Sequence, residues 1–174
     1  MVLFVSWYKM KKIWMYWWKF MPLHKWHLYC IDVASKECDK VYAILFANWS
    51  DEEEILRLNP GDESLLLENR FNCLKEVCKY YDNVVPILID VSECRNPDWT
   101  ENWDAETPLV RKYIKNMTYV YSSEENYWEY FSRAYPEAEH HIVDAKREKY
   151  PISGTLIRAM NTLEEKQKWM VWNK

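Results

Sequence analysis

The sequence predicts one α/β domain built on a mainly parallel sheet of about five strands flanked by helices. Three observations predict it. Short apolar or β-branched runs recur five times, and segments with helical spacing lie between them, the pattern of βαβ units. The chain of 174 residues, 49% hydrophobic, is long enough for one sizeable core and short for two.

The elements follow in order. The first strand is "KKIWMYWW" (Lys11 to Trp18), closed by the Pro-bearing turn "FMPLHKWH" (Phe20 to His27). "HLYCIDVASKEC" sets Leu28, Ile31 and Ala34 or Ser35 along one helix face. The second strand is "KVYAILFAN" (Lys40 to Asn48). A helix follows in "DESLLLENRFNCLKEVCKYY", with Leu66, Phe71, Leu74 and Val77 or Cys78 on one face. The third strand, "NVVPILIDV" (Asn83 to Val91), leads into Ser92 to Pro108, polar and aromatic without periodicity and read as a functional loop. Further helices are expected at "TPLVRKYIKN", with Pro108 near its first turn, and at "SEENYWEYFSRAY", capped by Ser123. Strands "MTYVYSS" (Met117 to Ser123) and "HHIVDA" (His140 to Ala145) complete the sheet.

Composition narrows the function classes. With 23 basic and 27 acidic residues the net charge is -4, which argues against a broad nucleic-acid surface and leaves room for a local basic pocket. Cys30, Cys38, Cys73, Cys78 and Cys94 form no CxxC pair, so they read as reduced, mostly buried thiols of a cytoplasmic protein. Lys9, Lys11, Lys12 and Lys19 interrupt the apolar run from Val2 to Met21, against a spanning helix or a signal peptide. An interfacial helix in that run is the membrane alternative.

In an open parallel sheet, ligands sit beyond the carboxyl ends of the strands. "FMPLHKWH" falls there after the first strand and "YPISGTLIR" (Tyr150 to Arg158) after the last. Ser153, Gly154 and Thr155 open a short helix with amides and hydroxyls, and Arg158 stands one turn on, a set suited to polyphosphate. Alone, the segment reads more readily as an N-capped helix with a solvated Arg. His24 and His27 have no third ligand at metal spacing, so no metal site is expected. As unperturbed imidazoles near Lys19 they are candidate donors to phosphate oxygens.

Together, "KFMPLHKWH" and "ISGTLIR" resemble the nucleotidyltransferase superfamily, and more narrowly the nicotinamide mononucleotide (NMN) adenylyltransferase domain of bacterial bifunctional NAD-biosynthesis proteins. "YSSEE", "VDAKREKYPISGTLIR" and "ENWDAE" support the likeness, which runs from Met10 to Trp172. It implies a Rossmann-like nucleotidyltransferase domain at 10–174 behind an extension at 1–9. It also implies adenylyl transfer from ATP to NMN, giving NAD and pyrophosphate with Mg2+ carried by ATP. On the resemblance, His24, His27, Lys19 and Arg158 are catalytic. Phe20, Ser153, Gly154, Thr155, Lys146 and Arg147 bind the nucleotide, and Trp103 and Asp104 the acceptor, Trp103 stacking on the cationic ring. The implied partners are ATP and NMN, with a homo-oligomer allowed and neither nucleic acid nor membrane expected. Alternatives are another phosphorylated acceptor, such as phosphopantetheine or glycerol phosphate, and a catalytically impaired nucleotide-binding module.

The chain departs from the family pattern at glycines. It holds 2 Gly and 11 Trp, where Gly averages about 7% of a chain. Trp26 stands between the two histidines where the family has glycine; Trp14, Trp18 and Trp49 occupy three further glycine positions. An indole at 26 is expected to crowd the nucleotide, and one at 18 to obstruct the turn. Some genetic codes read UGA as glycine and others as tryptophan, so a gene translated with the wrong table would write Trp at a subset of glycines. On that hypothesis positions 14, 18, 26 and 49 are glycine in the natural product, Trp7 and Trp17 are further candidates, and Met10 is the true start.

Overall fold

The computed structural model describes residues 12–122 and 127–171. Strand β1 (Ile13–Trp18) leads to helix α1 (Lys25–Glu37), then β2 (Lys40–Ala47), α2 (Trp49–Leu58), a 3-10 turn (Glu63–Leu65) and α3 (Leu67–Cys78). β3 (Val84–Asp90), α4 (Trp103–Arg111), β4 (Tyr119–Ser122), α5 (Trp128–Ala134) and β5 (Glu139–Ile142) follow, and two short helices end the fold, α6 (Gly154–Arg158) and α7 (Leu163–Gln167).

The sheet order is β3-β2-β1-β4-β5, with every neighbouring pair parallel. Period-two alternation divides each central strand between two cores. Trp14, Tyr16, Val41, Ala43 and Leu45 pack on one face with Ile31 of α1 and Leu74 and Val77 of α3. Met15, Ile44, Phe46, Ile87 and Ile89 pack on the other with Val110 of α4 and Tyr130 and Phe131 of α5. Burial on both faces explains why these strands read as continuous apolar runs. The chain builds outward from β1 to β3 and then returns to lay β4 on the other side of β1, so a crevice opens at the carboxyl ends of β1 and β4.

The five strands fall where the sequence placed them; several other expectations need correction. α2 was not foreseen, because its sequence WSDEEEILRL is mostly polar and its buried residue is Glu52. The segment 92–108 is not loop throughout. Asn102 accepts a hydrogen bond from the Ala105 amide at 3.1 Å, capping α4 and starting it at Trp103, so that Pro108 lies inside the helix. On α1 the buried positions are Trp26, His27, Cys30, Ile31 and Ala34, a face turned from the one built on Leu28. Residues 13–18 form the central strand, which rules out an interfacial helix there. Residues 1–9, Met10, Trp7, Ser123 and the side chain of Trp17 lie outside the described residues. Among the described residues no helix is long and apolar enough to cross a membrane. All five cysteines are free and buried.

Candidate functional site

A cleft of about 420 Å³ opens at the carboxyl edge of the sheet, a size typical of small-molecule sites. Its lining comes from both ends of the chain. The end of β1, the turn after it and the start of α1 give Trp18, Lys19, Met21, His24 and His27; α6 and its approach give Arg147, Ser153, Gly154, Thr155 and Arg158; the α4 region gives Glu101, Trp103 and Glu106.

The turn after β1 passes through Phe20 in the left-handed region (φ 49°) and a cis Met21–Pro22 bond. Arg70 of α3, fully buried and ion-paired with Glu52 at 2.6 Å, donates to the Lys19 carbonyl at 2.6 Å and fixes the turn from below. Phe20, expected at the nucleotide, is instead a core residue, 0% exposed and edge-on to the His27 ring at 5.0 Å. His24 and His27 reach the cleft as a stacked pair, ring centroids 3.8 Å apart and each 1% exposed. They are not unperturbed imidazoles. Burial, with help from the Arg147 charge, lowers the His24 pKa to about 3. Burial, His24 and Arg147 together hold His27 well below its usual value. Both rings are therefore neutral at neutral pH. The His24 amide donates to His27 Nδ1 at 3.3 Å, which places the His27 proton on Nε2.

Opposite the histidines, Ser153 caps α6 by accepting from the Leu156 amide at 3.2 Å. The amides of Gly154 and Thr155 belong to the first turn, where none has a partner within the helix. Arg158 donates to the Met21 carbonyl at 2.5 Å and to Thr155 Oγ1 at 3.2 Å, tying α6 to the turn after β1. Arg147 lies over the Trp26 ring at 4.6 Å and donates to the Ile152 carbonyl at 2.7 Å. Lys146, assigned to the nucleotide from sequence, is exposed and off the cleft.

The α4 wall is aromatic and acidic. Trp103 packs against Tyr127 (5.1 Å between centroids) and Tyr130 (5.5 Å), and its indole N–H donates to Glu101 Oε2 at 3.1 Å. The other Glu101 oxygen holds Lys19 at 2.6 Å, and Asp51 holds the same ammonium. Burial acts to lower the Lys19 pKa, but these two carboxylates outweigh it and raise the value, so the group stays charged. Asp104 is exposed and paired with Arg133 at 2.9 Å, away from the cleft. Glu106, three residues from Trp103, faces the cleft instead. It is 3% exposed, and its Oε2 is buried without a hydrogen-bond partner among the described residues.

Trp26 does not crowd the cleft. It is 0% exposed, in the core at the first turn of α1. Trp18 is half-buried and forms part of the cleft wall; Trp14 is buried at 0% exposure, and Trp49 is 69% exposed on the surface. Among the described residues no group of three or more His, Cys, Asp or Glu stands together in a way that could hold a metal.

No family model and no curated protein matches the sequence. Solved structures do. A structure of NadR protein in complex with NAD and AMP-PNP superposes with a TM-score of 0.69 at 22% identity, over 92% of this chain and 44% of the other. A NadR protein in complex with NR gives 0.63 at 20%, over 92% and 42%. A bifunctional NMN adenylyltransferase/ADP ribose pyrophosphatase from Francisella tularensis gives 0.63 at 18%, over 95% and 46%. The fold matches that of these three structures, with a parallel five-stranded sheet flanked by helices. The chain spans less than half the length of each of these proteins.

Nine of the twelve residues picked from sequence line this cleft: Lys19, His24, His27, Trp103, Arg147, Ser153, Gly154, Thr155 and Arg158. Glu101, Glu106 and Tyr127 were missed. The signal for Glu106 was present in "ENWDAE": once the segment is helical, the residue sharing a face with Trp103 is three on, at 106, not the adjacent 104.

Proposed function

We propose that this cleft transfers an adenylyl group from ATP to NMN. One observation carries the reading. The sheet brings a turn from the start of the chain and a helix from its end together as a wall of hydrogen-bond donors, His27, Arg147, Gly154, Thr155 and Arg158, facing an aromatic wall at Trp103. A triphosphate suits the first wall and a flat cationic ring the second.

In the reaction an NMN phosphate oxygen attacks the α-phosphorus of ATP. The new P–O bond forms as the α–β bridging bond breaks, and pyrophosphate leaves with both electrons of that bond. Such transfers gain rate from alignment and from donors aimed at developing charge. Magnesium arrives with ATP as part of the substrate and offsets charge on its phosphates. His27 Nε2–H is the donor placed for the α-phosphate. Arg158, the 154–155 amides and Arg147 hold the β- and γ-phosphates. Lys19 lines the same cleft, its ammonium held by Asp51 and Glu101, and offsets phosphate charge once it exchanges one of these carboxylates for the substrate. The indole of Trp103, steered by Glu101, offers its face to the nicotinamide ring.

Pyrophosphate release from ATP, measured separately with NMN, phosphopantetheine and glycerol phosphate, tests the reading. Release with NMN alone is expected. Release with either other acceptor and not with NMN would assign a different nucleotidyltransferase, and nucleotide binding without release would leave a binding module.

A further inference from the structure

The two walls of the cleft meet at one carboxylate. Glu101 lines the cleft and serves both sides at once: Oε1 accepts from the Lys19 ammonium at 2.6 Å and Oε2 from the Trp103 indole N–H at 3.1 Å. Lys19 is also gripped from beneath by neighbouring acids in the first turn of α2. Asp51 takes the ammonium, and Glu52, through Arg70, holds the Lys19 carbonyl. The Asp51 grip is braced in turn, because Arg95 reaches its second oxygen at 3.4 Å while donating to Asn48 and Ser50. Asp51 lies outside the cleft lining, whereas Glu101 belongs to it. A phosphate entering the cleft therefore competes for the ammonium on the Glu101 side, and the lysine keeps Asp51 behind it.

We propose that Glu101 couples the two substrates: the triphosphate draws Lys19 away from it, and the negative charge so uncovered strengthens the hold on a cationic ring stacked on Trp103. The proposal rests on the adenylyltransferase reading above. While the ammonium stands 2.6 Å away, it cancels most of the Glu101 charge. A cationic ring on the adjacent indole then gains little from the carboxylate. Once phosphate oxygens take the place of Glu101 around the ammonium, the carboxylate keeps the indole N–H and stays beside the ring. Its attraction for the ring cation acts in a cleft partly shielded from water, where it is screened less than in bulk solvent. ATP and NMN thus each raise the affinity for the other, and by the same factor. A ring without charge gains nothing from the exchange. Glu101 is a positioning residue, acting through Lys19 and Trp103.

Calorimetric titration tests the proposal, with NMN added to the chain alone and to the chain saturated with Mg2+ and α,β-methylene-ATP, which cannot release pyrophosphate. The unaltered chain should bind NMN at least about fivefold more tightly when the analogue is present. Two changes should abolish that gain. Glu101→Gln keeps the shape and an acceptor for the indole but has no charge to uncover, and reduced NMN has an uncharged ring. Glu101→Gln should also bind the ATP analogue more tightly, since Lys19 no longer leaves a carboxylate to meet it. A residue that only supports the fold would instead weaken both ligands and leave the gain intact. No gain for NMN in the unaltered chain, the same gain in Glu101→Gln, or the same gain for reduced NMN overturns the role of Glu101 alone. Binding of neither NMN nor the ATP analogue overturns the adenylyltransferase reading and this proposal with it. Should the variant fold poorly, the comparison of NMN with reduced NMN on the unaltered chain still decides.

Discussion

Gly154 lies so close to the turn after β1 that a Cβ added to it would sit under 3.0 Å from the Met21 carbonyl oxygen. The same oxygen accepts from Arg158. One backbone atom of the N-terminal turn thus fixes how near α6 approaches, and only a residue without a side chain permits that approach. Gly154→Ala must push α6 outward. The expected result is a loss of about 1–3 kcal/mol of stability in chemical denaturation and a clear rise in KM for ATP. Unchanged KM for ATP would show that α6 does not hold the triphosphate.

The stacked histidines make the protein sensitive to acid. A buried base whose folded pKa is depressed stabilises the fold above its unfolded pKa, near 6.5, and that stability is lost as pH falls toward the folded value. With His24 at about 3, acidification to pH 5 costs about 2 kcal/mol from this residue. Thermal melts should show Tm falling from pH 7 to pH 5, and falling less in His24→Asn. A His24→Asn profile parallel to that of the unaltered chain would show the ring is already protonated when folded. His27→Ala, which removes the Nε2–H donor, should lower kcat roughly 10²- to 10³-fold with little change in substrate affinity.

Glu106 acts in the opposite pH range. An acid whose folded pKa is raised is well tolerated below its unfolded value, near 4.3, and loses stability for the fold as pH rises toward about 8, where the folded group ionises. Glu106→Gln has no such penalty. Its Tm should match that of the unaltered chain at pH 4 and exceed it by a margin that grows up to pH 8 and then levels off. Equal Tm values across the range would contradict the burial of an unpaired carboxyl.

One tryptophan outside the motifs carries a backbone mark of a glycine position. Trp99 holds φ at 67°, a region bulky side chains avoid, with its side chain 79% exposed. Trp14 and Trp26 are buried with their indole N–H groups unpaired among the described residues. The Trp99 backbone extends the misread-codon hypothesis to a site the motifs did not flag. Intact-protein mass of the native gene product should be lower than that of the written sequence by a glycine-for-tryptophan difference at several positions. Agreement with the written sequence would remove the hypothesis.

The parallel order of the sheet was legible because strands buried on both faces are continuous apolar runs, and the cleft wall formed by the turn after β1 and by α6 because its residues are contiguous in two short segments. The α4 wall was not. It depends on a helix starting at Trp103, and the cap that starts it, Asn102, sits in a polar stretch with no apolar period to betray a helix. Reading that stretch as loop put Asp104 in the site and left Glu106 out. Phe20 and Lys146 failed differently: each neighbours a site residue in sequence, but the left-handed turn at Phe20 sends its ring into the core, and Lys146 stands on the solvent side beside Arg147. The neutrality of the histidines arises from burial, with Tyr16, Trp18, Phe20 and Trp26 packed around His27, and from the Arg147 charge brought in from the other end of the chain.

The most direct test of the central claim is a coupled assay in which any NAD formed from ATP and NMN is reduced by alcohol dehydrogenase and ethanol. It is run on the chain as written and on a version with glycine at 14, 18, 26 and 49. NAD formation that requires both substrates, is stronger in the glycine version and collapses in His27→Ala is the expected result. No NAD from either version, while both still bind ATP, would contradict the assignment of this cleft to adenylyl transfer.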